Sequence, residues 1–284
     1  MGGLTERPAA GGAQRLETAL LIRAYSAGLF PMADTREAAD VFWVEPRRRG
    51  VLPIDGFHLP RSLARTLKQE QFLHSHDLAF GAVIRACAEE APGRAQSWIN
   101  PTIVDAYSRL HAEGHAHSIE TWDRDGRLVG GLYGVRIGAA FFGESMFSRA
   151  TDASKAALAH LVARLRLGGF LLLDTQFLTA HLARFGGHEV RRGAYMAMLD
   201  RAVRQTADWA RIDQDSGVAG GGVVGAGVAG WGAVAAGAAG AGAVASGAVA
   251  GARAGRGLAE VPPALPAGRG PSGKRIVQLL SQTS

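Results

Sequence analysis

A single cysteine, Cys87, among 284 residues leaves no pair for a disulfide and no thiolate cluster for a metal. The start, MGGLTERPAAGG, lacks the basic-then-apolar pattern of an export signal, so the expected compartment is the cytoplasm. No H-E-x-x-H occurs, and Gly114 is expected to end a helix before His115. His111, His115 and His117 therefore read as structural, and no metal site is expected. GESMF lacks the second glycine of a nucleophile elbow, Met146 standing before Phe147, which argues against Ser145 as a nucleophile. GGLYG, Gly130 to Gly134, lies inside an expected strand rather than at a strand-to-helix turn, so it is no dinucleotide fingerprint. From Ser216 to Ala252 charge is missing altogether. Glycine at that density breaks helices and alanine adds little transfer energy, so the stretch reads as a disordered linker or tail rather than a membrane span.

What is present suits one domain with an accessory piece. Hydrophobic residues make up 47%, ample for a buried core. A net charge of +6 invites a nucleic-acid partner, but four of those charges fall after Gly217, where five Lys/Arg stand against Glu260. A polyanion partner must therefore be argued from a local patch.

Spacing predicts a first helix over Gln14 to Gly28, then two short strands in VFWVEPRRRGVLPI broken by Pro46 and a basic turn. A second helix, Pro60 to about Gln69, carries Arg61, Arg65 and Lys68 on one face, a stripe fit for phosphate contacts or for plain solvation. A third follows over Phe80 to Glu90, and Asn100 and Pro101 open a fourth that runs to about Glu113. Then comes an antiparallel meander of Ser118 to Trp122, Leu128 to Ile137 and Ala139 to Glu144. Asp152 is expected to cap the helix Ala153 to Leu167, which returns to a buried strand starting at Phe170; a strand, helix, strand crossover of that length implies parallel pairing. The fold class expected is α+β: a mixed β-sheet flanked by helices, with a small N-terminal unit over 1–56, a catalytic domain over 57–212 and a Gly/Ala-rich tail over 213–284.

The chemistry concentrates in polar residues set within apolar runs, where an unpaired carboxylate costs several kcal/mol to desolvate. Asp174 and Gln176 stand two apart in LLLDTQF, and strand alternation sends both to one face. Together they can orient or deprotonate an amine, or Asp174 can simply cap the helix that starts near Leu178. Glu144 follows AAFFG, with Gly143 permitting close approach of a ligand. In one cleft with Asp174 it would suit a cationic substrate; alone it would pair with Arg149 or Lys155. Trp43, Trp98, Tyr107, Phe141 and Phe142 are pocket or core residues.

At these residues the chain resembles the leucyl/phenylalanyl-tRNA-protein transferases. The likeness runs through AYSAGLFPM, W-V-E-P, SWI, Y-x-R-L-H-x-x-G-H-A-H-S-I-E, LVGGLYGV, FFGESMFSR-x-x-x-A-S-K and LLDTQ-x-L-x-x-H-L, about Leu20 to Leu199. It implies an acyl-CoA N-acyltransferase-like fold. It also implies transfer of Leu or Phe from aminoacyl-tRNA to proteins with N-terminal Arg or Lys, marking them for N-end rule degradation, with no cofactor, no membrane and a monomeric enzyme. It places Asp174 and Gln176 at the reacting centre, with Glu144 beside them. Trp98, Tyr107, Leu132, Phe141 and Met146 become pocket and adenosine contacts, and Arg61, Arg65 and Lys68 face the tRNA stem. Met32 stands where the family often has an aromatic that stacks on the terminal adenosine. Two alternatives remain: an acetyl-coenzyme A acetyltransferase, which needs a glycine-rich turn that MFSRATDASK does not have, and a tRNA-binding module without catalysis.

Overall fold

The computed structural model describes residues 15–89, 97–214 and 270–282. The chain divides into one unit of residues 1–216 and 264–284 and a second of residues 217–263; the second, with most of the expected Gly/Ala-rich tail, lies outside the described residues. No helix among the described residues is long and apolar enough to cross a membrane.

Helix α1 (Thr18–Ser26) leads into a two-stranded antiparallel ribbon of β1 (Phe30–Met32) and β2 (Phe42–Val44). The next strand, β3 (Arg48–Val51), leaves this small piece for the large sheet, so the boundary expected at residue 56 falls after a strand that belongs to the second part. That sheet has seven strands in the order β4, β5, β6, β7, β8, β3, β9. The meander is β5 (Ala116–Trp122), β6 (Leu128–Ile137) and β7 (Ala140–Ser148), edged by β4 (Leu73–His76). Helix α5 (Ala153–Leu167) crosses to β8 (Leu172–Gln176), which pairs parallel with β7; β3 and β9 (His188–Arg191) add on antiparallel. The mixed sheet and the α+β class are as expected.

Two apolar clusters cover the two faces of the sheet. One holds Tyr25 of α1, Val83 and Ile84 of α3 (Phe80–Ala88), Ile103 and Tyr107 of α4 (Pro101–Ala112), and Tyr195 and Leu199 of α7 (Arg192–Val203). The other holds Leu63 and Leu67 of α2 (Arg61–Lys68), the length of α5, Leu182 of α6 (Ala180–Ala183) and Ile276 to Leu280 of a C-terminal helix, α9 (Gly273–Ser281); the four-residue α8 (Arg211–Gln214) adds Ile212. The end of the chain thus departs from the loose tail expected after residue 213. Ile276, Val277, Leu279 and Leu280 form an apolar stripe that becomes helical by burying itself on α2 and α5.

Capping follows expectation in one place and not in another. The Asn100 side chain accepts from the Ile103 N–H at 2.9 Å, with Pro101 at the first helical position. Asp152 occupies the expected N-cap position of α5 but adopts φ 66° and makes no capping bond; its carboxylate accepts instead from Lys155 Nζ at 2.6 Å.

Candidate active site

The site lies where the parallel strands part. Pairing of β7 with β8 covers Ala140 to Phe142 against Leu172 to Asp174 and stops there, although both strands continue. Beyond that point Gly143 to Met146 on one strand and Thr175 and Gln176 on the other line a cavity of about 320 Å³. Its walls are mostly apolar: Leu132 of β6, Leu158 and Leu161 of α5, Leu182 of α6, Phe30 and Met32 of β1, and Trp98. Of its polar groups, Glu144, Ser145, Thr175 and Gln176 stand at the splayed strand ends, and Thr179 and His181 at α6.

Two β-bulges aim those groups. Tyr133 pairs with Ser145 and Gly134 with Gly143, so Glu144 is the extra residue on β7. Gly50 pairs with Gln176 and Val51 with Asp174, so Thr175 is the extra residue on β8. A bulge leaves its residue out of the ladder and redirects its side chain, which is why plain alternation could not place these groups. Gly50 is required by the second bulge: a Cβ there would sit 2.7 Å from the backbone of both Phe177 and Leu178.

Asp174 is fully buried and fully engaged. Arg49 donates to it from Nε at 3.0 Å and from Nη2 at 2.7 Å, the Tyr195 hydroxyl donates at 2.6 Å, and the Gln176 N–H donates at 2.8 Å. The last bond holds Gln176 at φ 55°, a left-handed conformation that a non-glycine residue keeps only under such constraint. Arg49 is itself enclosed between the rings of Phe30 and Tyr195, at 4.7 and 4.6 Å, and donates to the Gly28 carbonyl at 2.8 Å. Burial alone would lower the Arg49 pKa, but the Asp174 carboxylate outweighs it and raises it. Asp174 does not cap a helix; Thr179 caps α6.

Glu144 is the carboxylate that meets the cavity. The Tyr25 hydroxyl donates to it at 2.7 Å, Tyr107 at 3.3 Å, and Gln176 Nε2 at 3.0 Å; the two tyrosine hydroxyls also touch each other. Neither Arg149 nor Lys155 reaches Glu144, since they pair with Glu89 and Asp152. Burial pushes its carboxyl up to about 8, with Asp174 adding to the rise and Tyr25, Arg49 and Tyr107 opposing it. Tyr25 and Tyr107 are themselves pushed well up, by burial first and then by Glu144.

Of the residues singled out from sequence, Met32, Trp98, Leu132, Gly143, Glu144, Met146 and Gln176 line the cavity. Asp174 stands behind Gln176, and Tyr107 behind Glu144. Phe141 is not brought to the cavity; it is buried against Trp209, ring centroids 5.5 Å apart. Arg61, Arg65 and Lys68 are exposed on α2. Ser145 lines the cavity without a hydrogen-bonded base among the described residues. His111 bonds the Ala116 carbonyl and His117 bonds Asp77, each at 2.8 Å. Sequence reasoning missed Arg49, Tyr25 and Tyr195. Tyr25 shares the buried stripe of Leu21 and Ala24 on α1 and was open to a periodicity argument; Arg49, inside a basic run, carried no such signal.

A mixed sheet splayed at its one parallel joint, helices on both faces and a cavity at the splay define an acyl-CoA N-acyltransferase-like protein. Within that class, residues 51–200 match the family described as leucyl/phenylalanyl-tRNA protein transferase and residues 14–47 its N-terminal domain. The chain is similar to the leucyl/phenylalanyl-tRNA--protein transferase of Rhizorhabdus wittichii, 58% identical over 202 residues, covering 71% of this chain and 78% of that one. Those of Rhodopseudomonas palustris (55% identical, 71% and 87% covered) and Paramagnetospirillum magneticum (56%, 66% and 90%) are comparable. The chain belongs to the leucyl/phenylalanyl-tRNA protein transferase family.

Proposed function

We propose that this protein moves Leu or Phe from aminoacyl-tRNA onto the α-amine of proteins that begin with Arg or Lys, marking them for N-end rule degradation, and that it works as a cytoplasmic monomer without a cofactor. The observation that carries this is a mostly apolar cavity that Glu144 and Gln176, hydrogen-bonded to each other, both line. Its volume suits a leucyl or phenylalanyl side chain, read by shape, with about 1–3 kcal/mol for each methylene-sized difference.

The acceptor's neutral α-amine attacks the ester carbonyl: a C–N bond forms, the C–O bond to the terminal ribose breaks, and the amine's proton ends on the departing ribose oxygen. An aminoacyl ester is already activated, so alignment and charge placement supply most of the acceleration, with no enzyme nucleophile. Gln176, its amide nitrogen bound to Glu144, has an oxygen left to accept from the attacking amine. Glu144 attracts the acceptor's cationic side chain; the arriving cation favours the ionised carboxylate that burial disfavours. Asp174, saturated by Arg49, Tyr195 and the Gln176 backbone, acts through Gln176 by holding its left-handed turn. Met32, Trp98, Leu132, Gly143 and Met146 hold the aminoacyl group and terminal adenosine, Tyr107 and Phe141 support these walls from behind, and Arg61, Arg65 and Lys68 lie along the tRNA stem.

The test is incubation with radiolabelled Leu-tRNA or Phe-tRNA and peptides beginning with Arg, Lys or Ala. Label on the two cationic peptides alone is expected, and equal labelling of the Ala peptide overturns the acceptor assignment. Acetylation of these peptides from acetyl-coenzyme A would favour the acetyltransferase alternative instead.

A further inference from the structure

Helix α2 has a neighbour that lies beyond the residues matched to the family, which end at 200. Helix α9 is capped by Ser272, whose hydroxyl accepts from the Arg275 N–H at 3.2 Å. Its apolar stripe is buried in the same cluster as Leu63 and Leu67 of α2, and Arg166 of α5 donates to the Leu279 carbonyl at 3.0 Å. At the crossing the two backbones nearly touch. A Cβ on Gly273 would stand 2.1 Å from the Leu67 carbonyl oxygen, so only glycine permits the approach. The chain neighbours of these two residues, Lys274 and Lys68, are both exposed.

We infer that α9 extends the cationic face of α2, and that Lys274 and Arg275 join Arg61, Arg65 and Lys68 in one surface for the phosphodiester backbone of the tRNA. This rests on the reading that tRNA lies along α2. Among the described residues, Arg61, Arg65, Lys68 and Lys274 enter no ion pair. The nearby carboxylate of Asp152, which reaches Thr66 of α2, is taken by Lys155 at 2.6 Å. Cations that no carboxylate holds, set on two helices locked by an apolar seam, form a preorganised strip for a polyanion. Phosphate contacts position a nucleic acid without reading its sequence, as an enzyme serving both leucine and phenylalanine tRNAs requires.

Unacylated tRNA binding, measured as log Kd against log salt concentration, tests this. Each phosphate neutralised adds about 0.7–0.9 to the slope. Lys274→Ala/Arg275→Ala is expected to lower the slope by about one to two and to weaken binding several-fold near 0.1 M salt. Arg204→Ala, at the C-cap of α7 against the opposite face of the sheet, serves as the control and is expected to bind as the wild type does. Arg275 also donates to Gln278 within α9, so Lys274→Glu is the second variant: it touches no helix contact and should weaken binding more than Lys274→Ala. Wild-type slope and affinity in both α9 variants overturn the inference. If Arg61→Ala/Arg65→Ala/Lys68→Ala nonetheless loses slope, the reading of α2 survives without α9; if it too binds like the wild type, both fall.

Discussion

Arg48 and Arg49 are adjacent in sequence and both pair with a carboxylate, yet removing them should cost very different amounts. Arg48 donates to Glu189 at 2.6 Å, but the two side chains are 58% and 38% exposed, so Arg48→Met should cost at most about 1 kcal/mol. Arg49 and Asp174 are 1% and 0% exposed. Methionine in place of Arg49 fills similar space between Phe30 and Tyr195 but leaves Asp174 with only two donors, the Tyr195 hydroxyl and the Gln176 N–H. Breaking a buried pair from one side costs about 3–5 kcal/mol. At about 2–4 °C per kcal/mol for a chain of this size, the melting temperature should fall by roughly 6–20 °C. Because the same carboxylate holds the turn at Gln176, aminoacyl transfer should fall at temperatures where the variant is still folded. Urea unfolding followed by tryptophan fluorescence measures the cost, and a double-mutant cycle with Asp174→Asn should give a coupling of about 2–3 kcal/mol. A cost for Arg49→Met no greater than that for Arg48→Met would refute the reasoning.

Three further predictions concern the cavity's frame and its polar end. Gly50→Ala pushes a methyl into the backbone of Phe177 and Leu178, so it should destabilise by about 1–3 kcal/mol and lower transfer by displacing Gln176; wild-type melting and kcat/KM would show that the strands yield freely. The Glu144 carboxyl, raised to about 8 by burial, binds its proton more tightly folded than unfolded. The stability this contributes is complete below the ordinary carboxylate range and drains away as pH climbs to about 8, so wild type should weaken relative to Glu144→Gln between those limits, whereas parallel unfolding curves would contradict the burial argument. Met146→Ala widens the cavity and should raise the preference for Phe over Leu by about 1 kcal/mol, roughly fivefold in the ratio of kcat/KM; an unchanged ratio would place Met146 off the side chain's path.

How much of this was legible in the sequence depended on the range of the forces involved. Strand β6 and helix α5 run between the residues expected, because glycine and aspartate turns bound them and local spacing governs both. Parallel pairing of β7 with β8 followed from the crossover alone. By contrast, β4 (Leu-His-Ser-His) and the polar β9 carry no apolar alternation and become strands only by docking on a sheet edge already formed. Glu144, Asp174 and Gln176 stood out because acids and amides are out of place in apolar runs. Their geometry did not, since two bulges reset the alternation on which a sequence argument relies. Arg49 was hidden for a related reason: a basic triplet reads as a basic turn fit for phosphate until a buried partner 125 residues away is known. The stripe of α9 is short and follows a Pro/Gly-rich stretch, so only its seat on α2 and α5 makes it a helix.

The central claim is that the ionised Glu144 at the cavity's polar end reads the acceptor's positive charge. The most direct measurement compares kcat/KM for a peptide beginning with arginine against one beginning with citrulline, its neutral near-isostere, in wild type and in Glu144→Gln. An unpaired buried charge costs about 2–5 kcal/mol, so wild type should prefer arginine by roughly thirtyfold or more, and the variant should lose most of that preference. An arginine preference that survives intact in Glu144→Gln would contradict the account.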